Sequence, residues 1–575
     1  MKPTAIRRRA CTFEAGAWPA AVHPVLARIY ALRGLAADAP LDPKLSGLAD
    51  PSALGGLERA CELLLDAIDH DHAICIVGDF DADGATGTAV AVRGLRLLGA
   101  RNVRYRVPNR LRHGYGLSPG LVDELAEDAP ALVVTVDNGI ACHAGVAAAR
   151  AHGMRVIVTD HHLPGATLPD ADAIVNPNVA GDAFPSKAIA GVGVMFCLLL
   201  ALRAHLRAGG RYVGAAEPDL STLLDLVALG TVADVVALDA NNRVLVAAGL
   251  RRIRAGRACA GLAALCRVAG RDTTRLVASD LAFAIAPRIN AAGRLDDMRI
   301  GIECLLTDDS DHATALAERL SAINAQRQDM QAAMVEQGEA IVAAFVATHG
   351  DDACPHGVVL FEESWHPGVI GLVASKLKER LNRPVVAFAP GGEGEDLRGS
   401  ARSIAGFHLR DALAEVDARR PGLIGRFGGH AMAAGLSLPP PHLAQFAAEF
   451  DAVARERIDA DVLEHVVWSD GELGATDFSF DLAFALRFGG PWGQAFPEPT
   501  FDNVFRVDGW RVVGEKHLSM RLCFDGCAGH FEAIMFDAID YAPPPQHIRA
   551  IYHLGVDEWN GRDRLRLTVV HFEAA

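Results

Sequence analysis

Apolar runs and helical stretches alternate along the first half of the chain. The runs at 74–77, 132–136 and 156–159 are short and rich in β-branched residues. Runs of this kind predict strands that are buried on both faces of a parallel sheet. Ala/Leu-rich stretches of helical length, such as 86–98, separate them. The alternation predicts βαβ units and a doubly wound α/β domain over residues 71–310.

A different periodicity follows, because residues 311–348 contain no proline and one glycine. Apolar residues recur there at steps of three, four and seven: Leu316, Leu320, Ile323, Met330, Met334, Ile341 and Phe345. That spacing predicts one long amphipathic helix, which we assign to residues 311–349. A helix of this length measures roughly 50 Å and would connect two domains.

The remaining regions are assigned from coarser patterns. The pattern of residues 1–70 predicts an N-terminal helical segment. Residues 350–457 repeat the α/β pattern on a smaller scale and predict a second α/β domain. In residues 458–575, aromatic residues are spread among turn residues, and we interpret this tail as a β-barrel of the OB type. A chain of 575 residues is also too long for a single core, which favours several domains.

The amino-acid composition indicates the cellular compartment of the protein. Half of the residues are hydrophobic and 22% are charged, as is ordinary for globular proteins. The 11 cysteines form no C-x-x-C pair, which indicates reduced thiols in a cytoplasmic protein. No apolar signal core follows Arg7–Arg9, and the longest apolar stretch, 190–202, is too short to span a bilayer. We therefore expect a cytoplasmic protein with no membrane partner.

The net charge of −16 argues against a general nucleic-acid coat protein but not against a nucleic-acid enzyme. Arginines cluster at 101–112, 251–257 and 398–410, and only six of the 55 basic residues are lysine. Arginine contacts phosphate through two donors at once. A biased composition would explain the same clusters, so both interpretations stay open.

Three clusters of metal-ligating side chains directly follow three of the predicted strands. Their members are Asp79, Asp81 and Asp83; Asp137; and Asp160, His161 and His162. Open α/β sheets place ligands beyond the carboxyl ends of their strands, so we expect the clusters to converge. Converging acids would repel one another unless cations neutralise them. A mixed Asp/His set favours Mn²⁺ or Mg²⁺, and two such ions are common in phosphodiester hydrolysis.

Two other interpretations of the acidic clusters were weighed. Asp79-x-Asp81-x-Asp83 resembles the start of an EF-hand calcium loop, which requires Glu at the twelfth position. That position is Val90, and a predicted strand precedes the loop, so the calcium interpretation is disfavoured. A purely structural cluster would need backbone or arginine partners for each acid. The sequence contains neither a phosphate-binding P-loop motif nor an H-E-x-x-H motif.

The three clusters resemble the first three motifs of the DHH phosphoesterase superfamily. Residues 229–234 resemble the fourth motif, which implies Asp234 as a further metal ligand, with Asp225 as the rival. The stretches 107–116, 286–294, 399–403 and 426–430 narrow the resemblance to the RecJ family of single-strand-specific 5′→3′ DNA exonucleases. The resemblance covers the chain from roughly Pro24 to its C-terminus.

The resemblance implies two lobes around a cleft, joined by a long helix and followed by an OB-fold. It implies two Mn²⁺ or Mg²⁺ ions, one bound by Asp83, Asp137, His161 and Asp234, the other by Asp79, Asp81 and a bridging Asp137. His162 and Arg288 would join Asp137 as catalytic residues, with His162 facing the scissile phosphate and Arg288 stabilising the transition state. A structural ion pair is the alternative for Arg288.

Substrate-binding residues are implied in the same way, namely Arg110, Tyr115, Asn290, Ser400, Arg402, Ser403, Gly429 and His430. Arg110 would bind the 5′ end, and the turn with Ser400 and Arg402 would offer donors to phosphate. A packed turn around a core histidine is the alternative for the segment that ends at His430.

We therefore expect a metal-dependent exonuclease that degrades single-stranded DNA from a free 5′ end to mononucleotides in repair and recombination. One alternative is a DHH phosphodiesterase acting on short oligonucleotides or cyclic dinucleotides, although such relatives usually lack the long tail. Another is a non-enzymatic scaffold, which the intact ligand positions disfavour. The resemblance also implies single-strand-binding protein and a RecQ-type helicase as partners, and a monomer.

Overall fold

The computed structural model of this chain describes residues 5–11, 14–110, 112–349, 354–392, 394–524, 529–559 and 562–575. The N-terminal segment contains one strand and two α-helices: β1 (Ala5–Arg8), α1 (Pro24–Leu32) and α2 (Leu57–Asp69). Strand β1 pairs in parallel with Val466–Ser469, near the other end of the chain. The N-terminal segment therefore belongs in part to the C-terminal region of the fold.

A five-stranded parallel sheet forms the centre of the first large domain. Its strands are β2 (Ile74–Gly78), β3 (Val103–Arg106), β4 (Leu132–Val136), β5 (Arg155–Thr159) and β6 (Ala173–Val175). The strand order is β3-β2-β4-β5-β6. Every residue of β2 and β4 is buried, as their uninterrupted apolar runs predict. The order reverses between β2 and β4, which creates a topological switch point.

Helices cover both faces of this sheet: α3 (Ala82–Leu97), α4 (Pro119–Ala126), α5 (His143–Ala151) and α6 (Gly191–Ala208). Helix α6 is long and apolar enough to pass a membrane-span test, but 61% of it is buried inside the protein. It packs closely against α3, because a Cβ added at Gly94 would lie 2.3 Å from a Leu199 methyl carbon. Helix α6 is therefore a core helix.

Six further α-helices complete the first lobe: α7 (Leu224–Ala233), α8 (Ala240–Arg254), α9 (Ala260–Val268), α10 (Ala278–Asp280), α11 (Ala286–Leu295) and α12 (Arg299–Leu306). A π-helical stretch, Leu281–Ile285, joins α10 to α11. Helix α13 (Ser310–His349) then runs for 40 residues, or about 60 Å. Its first part packs against α9, α11 and α12, so the predicted long connecting helix is confirmed.

The second lobe is a smaller α/β domain that packs on the far part of α13. Its elements are β7 (Val358–Phe361), α14 (Ile370–Leu381), β8 (Val385–Ala389), β9 (Leu397–Arg402), α15 (Leu409–Arg419), β10 (Arg426–Gly429), β11 (Ala433–Leu438) and α16 (Leu443–Arg457). The strand order is β10-β11-β9-β8-β7, and only β7 and β8 are parallel to each other.

The C-terminal region is a closed barrel. Strand β12 (Val466–Ser469) and helix α17 (Phe480–Phe488) lead into β13 (Phe501–Val513), β14 (His517–Cys523), β15 (Phe531–Met535), β16 (His547–Trp559) and β17 (Arg562–Ala574). The five long strands close in the order β13-β14-β15-β17-β16. With this barrel, the predicted fold class is confirmed: a doubly wound parallel-sheet domain, a long helix, a smaller α/β domain and an OB-type barrel.

A buried ion pair fixes the N-terminal segment to the region that precedes the barrel. Arg33 donates two hydrogen bonds to the carboxylate of Asp470, at 2.7 and 2.8 Å. Both side chains are almost fully buried, and Arg9 adds a third donor at 3.0 Å. Burial alone would raise the pKa of Asp470, but the hydrogen bonds and charge of Arg33 bring it below its usual value.

We predict that Asp470→Asn lowers the free energy of unfolding by about 3 kcal/mol, because it leaves the buried Arg33 charge without its partner. Glu464→Gln is the matched control, since the Arg7–Glu464 pair is more than half exposed and contributes under about 1 kcal/mol. Urea unfolding followed by circular dichroism measures both variants. If both variants lost the same free energy of unfolding, the buried pair would not be what stabilises the contact between the two segments.

The lowered pKa of Asp470 also sets the sign of a pH effect. Its contribution is present at pH values above the unfolded pKa, near 3.8, and is lost as pH falls through the lower folded pKa. Asp470→Asn should therefore lose less stability than the parent protein on acidification through this window. Melting temperatures recorded along an acidic pH series provide the measurement.

Candidate metal centre

The predicted acidic clusters meet at the switch point of the parallel sheet. The last residues of β2, β4 and β5 are side by side in the strand register. Directly after them come Asp79, Asp137 and Asp160. Asp137 has a left-handed backbone conformation, with φ of 63°, which is rare outside glycine and is found most often at functional sites. The local backbone thus turns this side chain toward the centre of the cluster.

The first turn of α3 supplies two more carboxylates. Asp81 caps the helix and accepts a hydrogen bond from the Gly84 N–H at 3.0 Å. Asp83 is buried and accepts hydrogen bonds from Gly191 N at 2.7 Å and Val192 N at 3.0 Å, at the start of α6. Gly191 also lets the start of α6 approach Asp137, because a Cβ there would lie 2.6 Å from Asp137 Cβ.

Ligand atoms of these residues form three overlapping groups. The groups are Asp79, Asp81 and Asp137; Asp83, His161 and Asp234; and Asp137, His161 and His162. Within each group the ligand atoms all lie within 4.8 Å of one another. His161 Nε2 is 3.0 Å from Asp137 Oδ1 and 3.4 Å from Asp234 Oδ2.

The donor set fits divalent cations. Four of its atoms are buried with no hydrogen-bond partner: Asp79 Oδ1, Asp137 Oδ1, His161 Nε2 and Asp234 Oδ2. Buried polar atoms normally have partners, so a group of unpartnered atoms that face one another indicates a site for a cation. Carboxylate and imidazole donors together suit Mn²⁺ or Mg²⁺. Asp137 belongs to two groups, as the implied bridging role requires.

The electrostatics of the cluster also favour cation binding. Burial, followed by repulsion between neighbouring carboxylates, raises the pKa of Asp79, Asp137 and Asp234 well above their usual value. The same two causes raise the pKa of Asp83 to about 7. Burial lowers the pKa of His161 to about 4, which keeps its imidazole neutral and able to bind a metal. Such a cluster is costly without cations.

Asp160 orients the second histidine of the motif. Its Oδ1 accepts a hydrogen bond from His162 Nδ1 at 2.7 Å, and its Oδ2 accepts one from Ile140 N at 2.9 Å. Burial opposes the charge of His162, but the contact with Asp160 outweighs it and raises the His162 pKa. Asp160 thus holds His162 in place and belongs to none of the three ligand groups.

The two candidates for the fourth motif lie in different surroundings. Asp234 stands beside His161 and Asp83 in the cluster. Asp225 is buried elsewhere, where it accepts a hydrogen bond from Cys259 N at 2.7 Å and lies 3.8 Å from Arg252. The geometry therefore favours Asp234 as the ligand and gives Asp225 a structural role.

The second lobe faces the metal centre across a cleft. The His430 ring stacks on the His162 ring, with centroids 6.4 Å apart and planes at 18°. Gly429 places that loop, since its φ is 142° and a Cβ there would lie 2.4 Å from the Ala433 carbonyl oxygen. One side of the cleft thus contributes His162 and the other contributes His430.

Three arginines line this cleft. Arg110 lies 3.9 Å above the Phe80 ring. Burial lowers the pKa of Arg110, and the charges of Asp79 and Asp81 partly oppose that shift. Arg402, at the end of β9, donates to Ser400 Oγ at 3.2 Å. Burial, together with the nearby charges of Arg110 and Arg402, lowers the pKa of Arg294 to about 9. This accumulation of positive charge beside the carboxylates suits an anionic substrate.

Other predicted residues have contacts within the protein. The Tyr115 hydroxyl donates to the Asp137 carbonyl oxygen at 3.2 Å and lies 3.5 Å from His162 Nδ1. Asn290 Oδ1 accepts a hydrogen bond from Ala82 N at 2.8 Å, which holds the start of α3. Ser403 is buried, and its hydroxyl donates to the Phe407 carbonyl oxygen at 2.6 Å.

Arg288 is directed toward the long helix. It donates to Ser321 Oγ at 3.3 Å and to the Ala284 carbonyl oxygen. Neither contact involves a carboxylate of the metal centre. Its catalytic role stays a prediction.

Two residues of the site were not singled out from the sequence. Arg294 ends the 286–294 stretch and donates to the Gly368 carbonyl oxygen at 3.2 Å, bridging the two lobes. Its position at the end of the 286–294 motif could have identified Arg294 from the sequence. Its proximity to Arg402 depends on the fold. Phe80, between the first two acids, gave no signal for its contact with Arg110, which depends on a loop from another strand.

Three domain families match this chain. The DHH family, N-terminal domain, matches residues 73–231, and the DHHA1 domain matches residues 354–456. The RecJ OB domain matches residues 469–571. The matches follow the order of the parallel-sheet domain, the second lobe and the barrel.

Two curated relatives are similar along almost the entire chain. The single-stranded-DNA-specific exonuclease RecJ of Dickeya dadantii is 50% identical over 558 residues, which cover 96% of each chain. The protein of the same name from Escherichia coli is 46% identical over 574 residues, covering 99% of each chain.

A solved structure agrees with the fold. RecJ from Thermus thermophilus in complex with Mn²⁺ matches with a TM-score of 0.79 at 33% sequence identity. The match covers 96% of this chain and 76% of that chain. The same protein in complex with Mg²⁺ matches with a TM-score of 0.73 at 32% identity, covering 96% and 75%.

We predict that Mn²⁺ raises the melting temperature of the parent protein and of Asp225→Asn, but much less that of Asp234→Asn. Ligand at 100 times its dissociation constant stabilises a folded protein by about 2.7 kcal/mol, and loss of a ligating carboxylate removes most of that gain. Differential scanning fluorimetry with EDTA or Mn²⁺ measures the shift. The Asp225 variant controls for removal of a buried carboxylate, and the opposite pattern would make Asp225 the ligand.

Proposed function

This chain belongs to the RecJ family of single-stranded-DNA-specific exonucleases, and we propose that it hydrolyses single-stranded DNA from a free 5′ end to mononucleotides. The observation that carries the proposal is the cluster of orphaned carboxylate and imidazole atoms facing an arginine-lined cleft. Phosphodiester hydrolysis needs charge neutralisation at the phosphate and an activated water, and this arrangement supports both.

We propose that Asp83, Asp137, His161 and Asp234 hold one Mn²⁺ or Mg²⁺ ion, and that Asp79, Asp81 and Asp137 hold the second. When bound, the ions supply an acidified water and positive charge beside the phosphate oxygens. Backbone hydrogen bonds already orient the carboxylates of Asp81 and Asp83, and the neutral imidazole of His161 is able to join them as a ligand.

We assign the protein residues around the phosphate as follows. His162, held through Nδ1 by Asp160, faces the scissile phosphate, and the Tyr115 hydroxyl borders it. His430 covers the opposite side and limits access of bulk water. Arg110 binds the 5′ end, and Arg402 with Ser400 binds a backbone phosphate through charged hydrogen bonds. Arg288 remains the candidate for transition-state stabilisation.

A phosphodiesterase for short oligonucleotides or cyclic dinucleotides is the alternative. The closed five-stranded barrel favours the longer substrate, because barrels of this type bind extended strands. The full ligand set, with orphaned atoms in place, argues against a scaffold that has lost catalysis.

We further propose a role in DNA repair and recombination in the cytoplasm, with single-strand-binding protein and a RecQ-type helicase as partners. Family membership supports the role and the partners. The cysteines support the compartment, since those among the described residues form no disulfide. A monomer is supported by the cleft, because both His162 and His430 belong to one chain.

The domain assignment is proposed along the same lines. We assign 1–70 to the N-terminal segment, 71–310 to the catalytic domain, 311–349 to the connecting helix, 350–457 to the substrate-binding domain and 458–575 to the OB domain. The sheets and the long helix support these divisions.

We predict that a long single strand labelled at its 5′ end releases labelled mononucleotide at once in Mn²⁺, whereas a 3′-labelled strand releases label only late. Asp137→Asn should lower the rate by at least about a thousandfold, because that carboxylate is shared by both ions. Denaturing gels follow the products. A duplex block at the 5′ end is the control, and cleavage confined to substrates of two to five nucleotides would favour the alternative enzyme.

We predict that Arg402→Gln raises KM for a long single strand about tenfold or more, with a smaller change in kcat, through loss of a charged hydrogen bond to phosphate. Arg398→Gln is the matched control, because Arg398 is on the same face of β9 about 13 Å away and pairs with Glu395. Initial rates over a series of substrate concentrations separate KM from kcat. An equal effect in both variants would exclude a specific contact by Arg402.

A further inference from the structure

A second cavity lies outside the metal centre, between α8, α10 and the segment that joins α17 to the barrel. Its volume is about 470 Å³, within the range of about 300–1,000 Å³ typical of small-molecule sites. Four arginines line it: Arg251, Arg254, Arg271 and Arg487. Two of them belong to the 251–257 cluster, to which the proposed reaction gives no role.

The cavity is separated from the metal centre by the length of α7. Gly249 of α8 meets the first turn of α7, because a Cβ there would lie 2.2 Å from the Leu224 carbonyl oxygen. Asp234 is at the other end of α7, ten residues or about 15 Å along the helix. Arg254 is a further turn beyond Gly249. A ligand in this cavity therefore cannot touch the metal-centre carboxylates.

Two of the four arginines are already neutralised. Arg251 pairs with Asp42 at 3.0 Å, and Arg271 pairs with Asp280 at 3.5 Å. Glu498, which is exposed, is the third carboxylate of the lining, so the cavity carries one net positive charge. The remaining positive charge is concentrated at Arg254 and Arg487.

Arg254 and Arg487 form no ion pair among the described residues. Each guanidinium carries five N–H donors. Arg254 uses Nε on the Leu276 carbonyl oxygen at 2.7 Å, and Arg487 uses Nη2 on the Arg275 carbonyl oxygen at 3.2 Å. Arg487 Nε is buried with no partner. Two converging arginines with unused donors favour a phosphate, which accepts from both.

An aromatic wall adjoins the two arginines. The guanidinium carbons of Arg254 and Arg487 are 5.1 and 5.8 Å from the centre of the Phe488 ring. Phe488 is nevertheless 40% exposed, whereas Trp492 is buried and stacked on the rings of Tyr30 and Phe496. The exposed part of the Phe488 ring gives a flat ligand group an apolar contact. Burial and the neighbouring Arg487 lower the pKa of Arg254, which agrees with an uncompensated cluster.

We propose that this cavity is a second site, which binds a nucleoside monophosphate with its phosphate between Arg254 and Arg487 and its base against Phe488. The site goes beyond the proposed hydrolysis and places the mononucleotide product, or a nucleotide of the same class, at a position distant from the reacting phosphate. Its occupancy is independent of metal, since no ligand of the metal centre lines the cavity.

Isothermal titration of the full-length protein in EDTA tests the site, with dAMP and inorganic phosphate as probes. We expect binding to the parent protein and at least tenfold weaker binding of both probes to Arg254→Gln and Arg487→Gln. Arg257→Gln is the matched control, because Arg257 is exposed, follows α8 and does not line the cavity. Phe488→Leu should weaken dAMP but leave inorganic phosphate unchanged.

Circular dichroism and Arg254→Lys guard against misfolding, and the lysine variant should recover part of the phosphate affinity because it restores the charge. The proposal is wrong if neither probe binds the parent protein, or if both bind all variants equally. It is also wrong if only a short single-stranded oligonucleotide, titrated in the same buffer, depends on Arg254 and Arg487, because the cavity would then be part of a strand-binding surface.

Discussion

The mutual repulsion of buried carboxylates is the constraint on which this structure depends. Asp79, Asp83, Asp137 and Asp234 are brought together by strand ends, helix starts and a left-handed turn, and burial raises the pKa of each. His161 does not compensate their charge, because its imidazole is kept neutral. Holding these carboxylates together is therefore electrostatically unfavourable until cations bind. The surrounding sheet must be rigid enough to keep the carboxylates in place.

The positive charge needed for substrate comes from both lobes. Arg110 belongs to the first lobe and Arg402 to the second, while Arg294 reaches across to the Gly368 carbonyl oxygen. Arg110, over the Phe80 ring, is thus on the same wall of the cleft as Asp79 and Asp81, while Arg402 is across the cleft from them. A phosphate that enters between them can satisfy both sets, whereas a direct Arg–Asp contact would close the site.

Much of this arrangement was predictable from sequence, because the determining signals are local. Each acidic cluster follows its strand directly, and strand ends converge in any open parallel sheet. The unbroken apolar period of α13 predicted its length in the same way. Contacts between distant segments carried no such signal. Whether Asp225 or Asp234 joins the cluster depends on how α7 and α8 pack, and the contact of Arg288 with Ser321 depends on the docking of the long helix.

The pairing of β1 with β12 affects how the chain can reach this state. Ala5 leaves the ribosome long before Val466 has been made, so the first strand must remain unpaired while both lobes are synthesised. Arg33 must also remain unpaired during that time, because its buried partner Asp470 directly follows β12. The first lobe, with α2 packed on α6 and β6, can form early, but β1 and Arg33 gain their partners only after residues 466–470 have been synthesised. A nascent chain that stops before those residues would expose both a free strand edge and an uncompensated arginine.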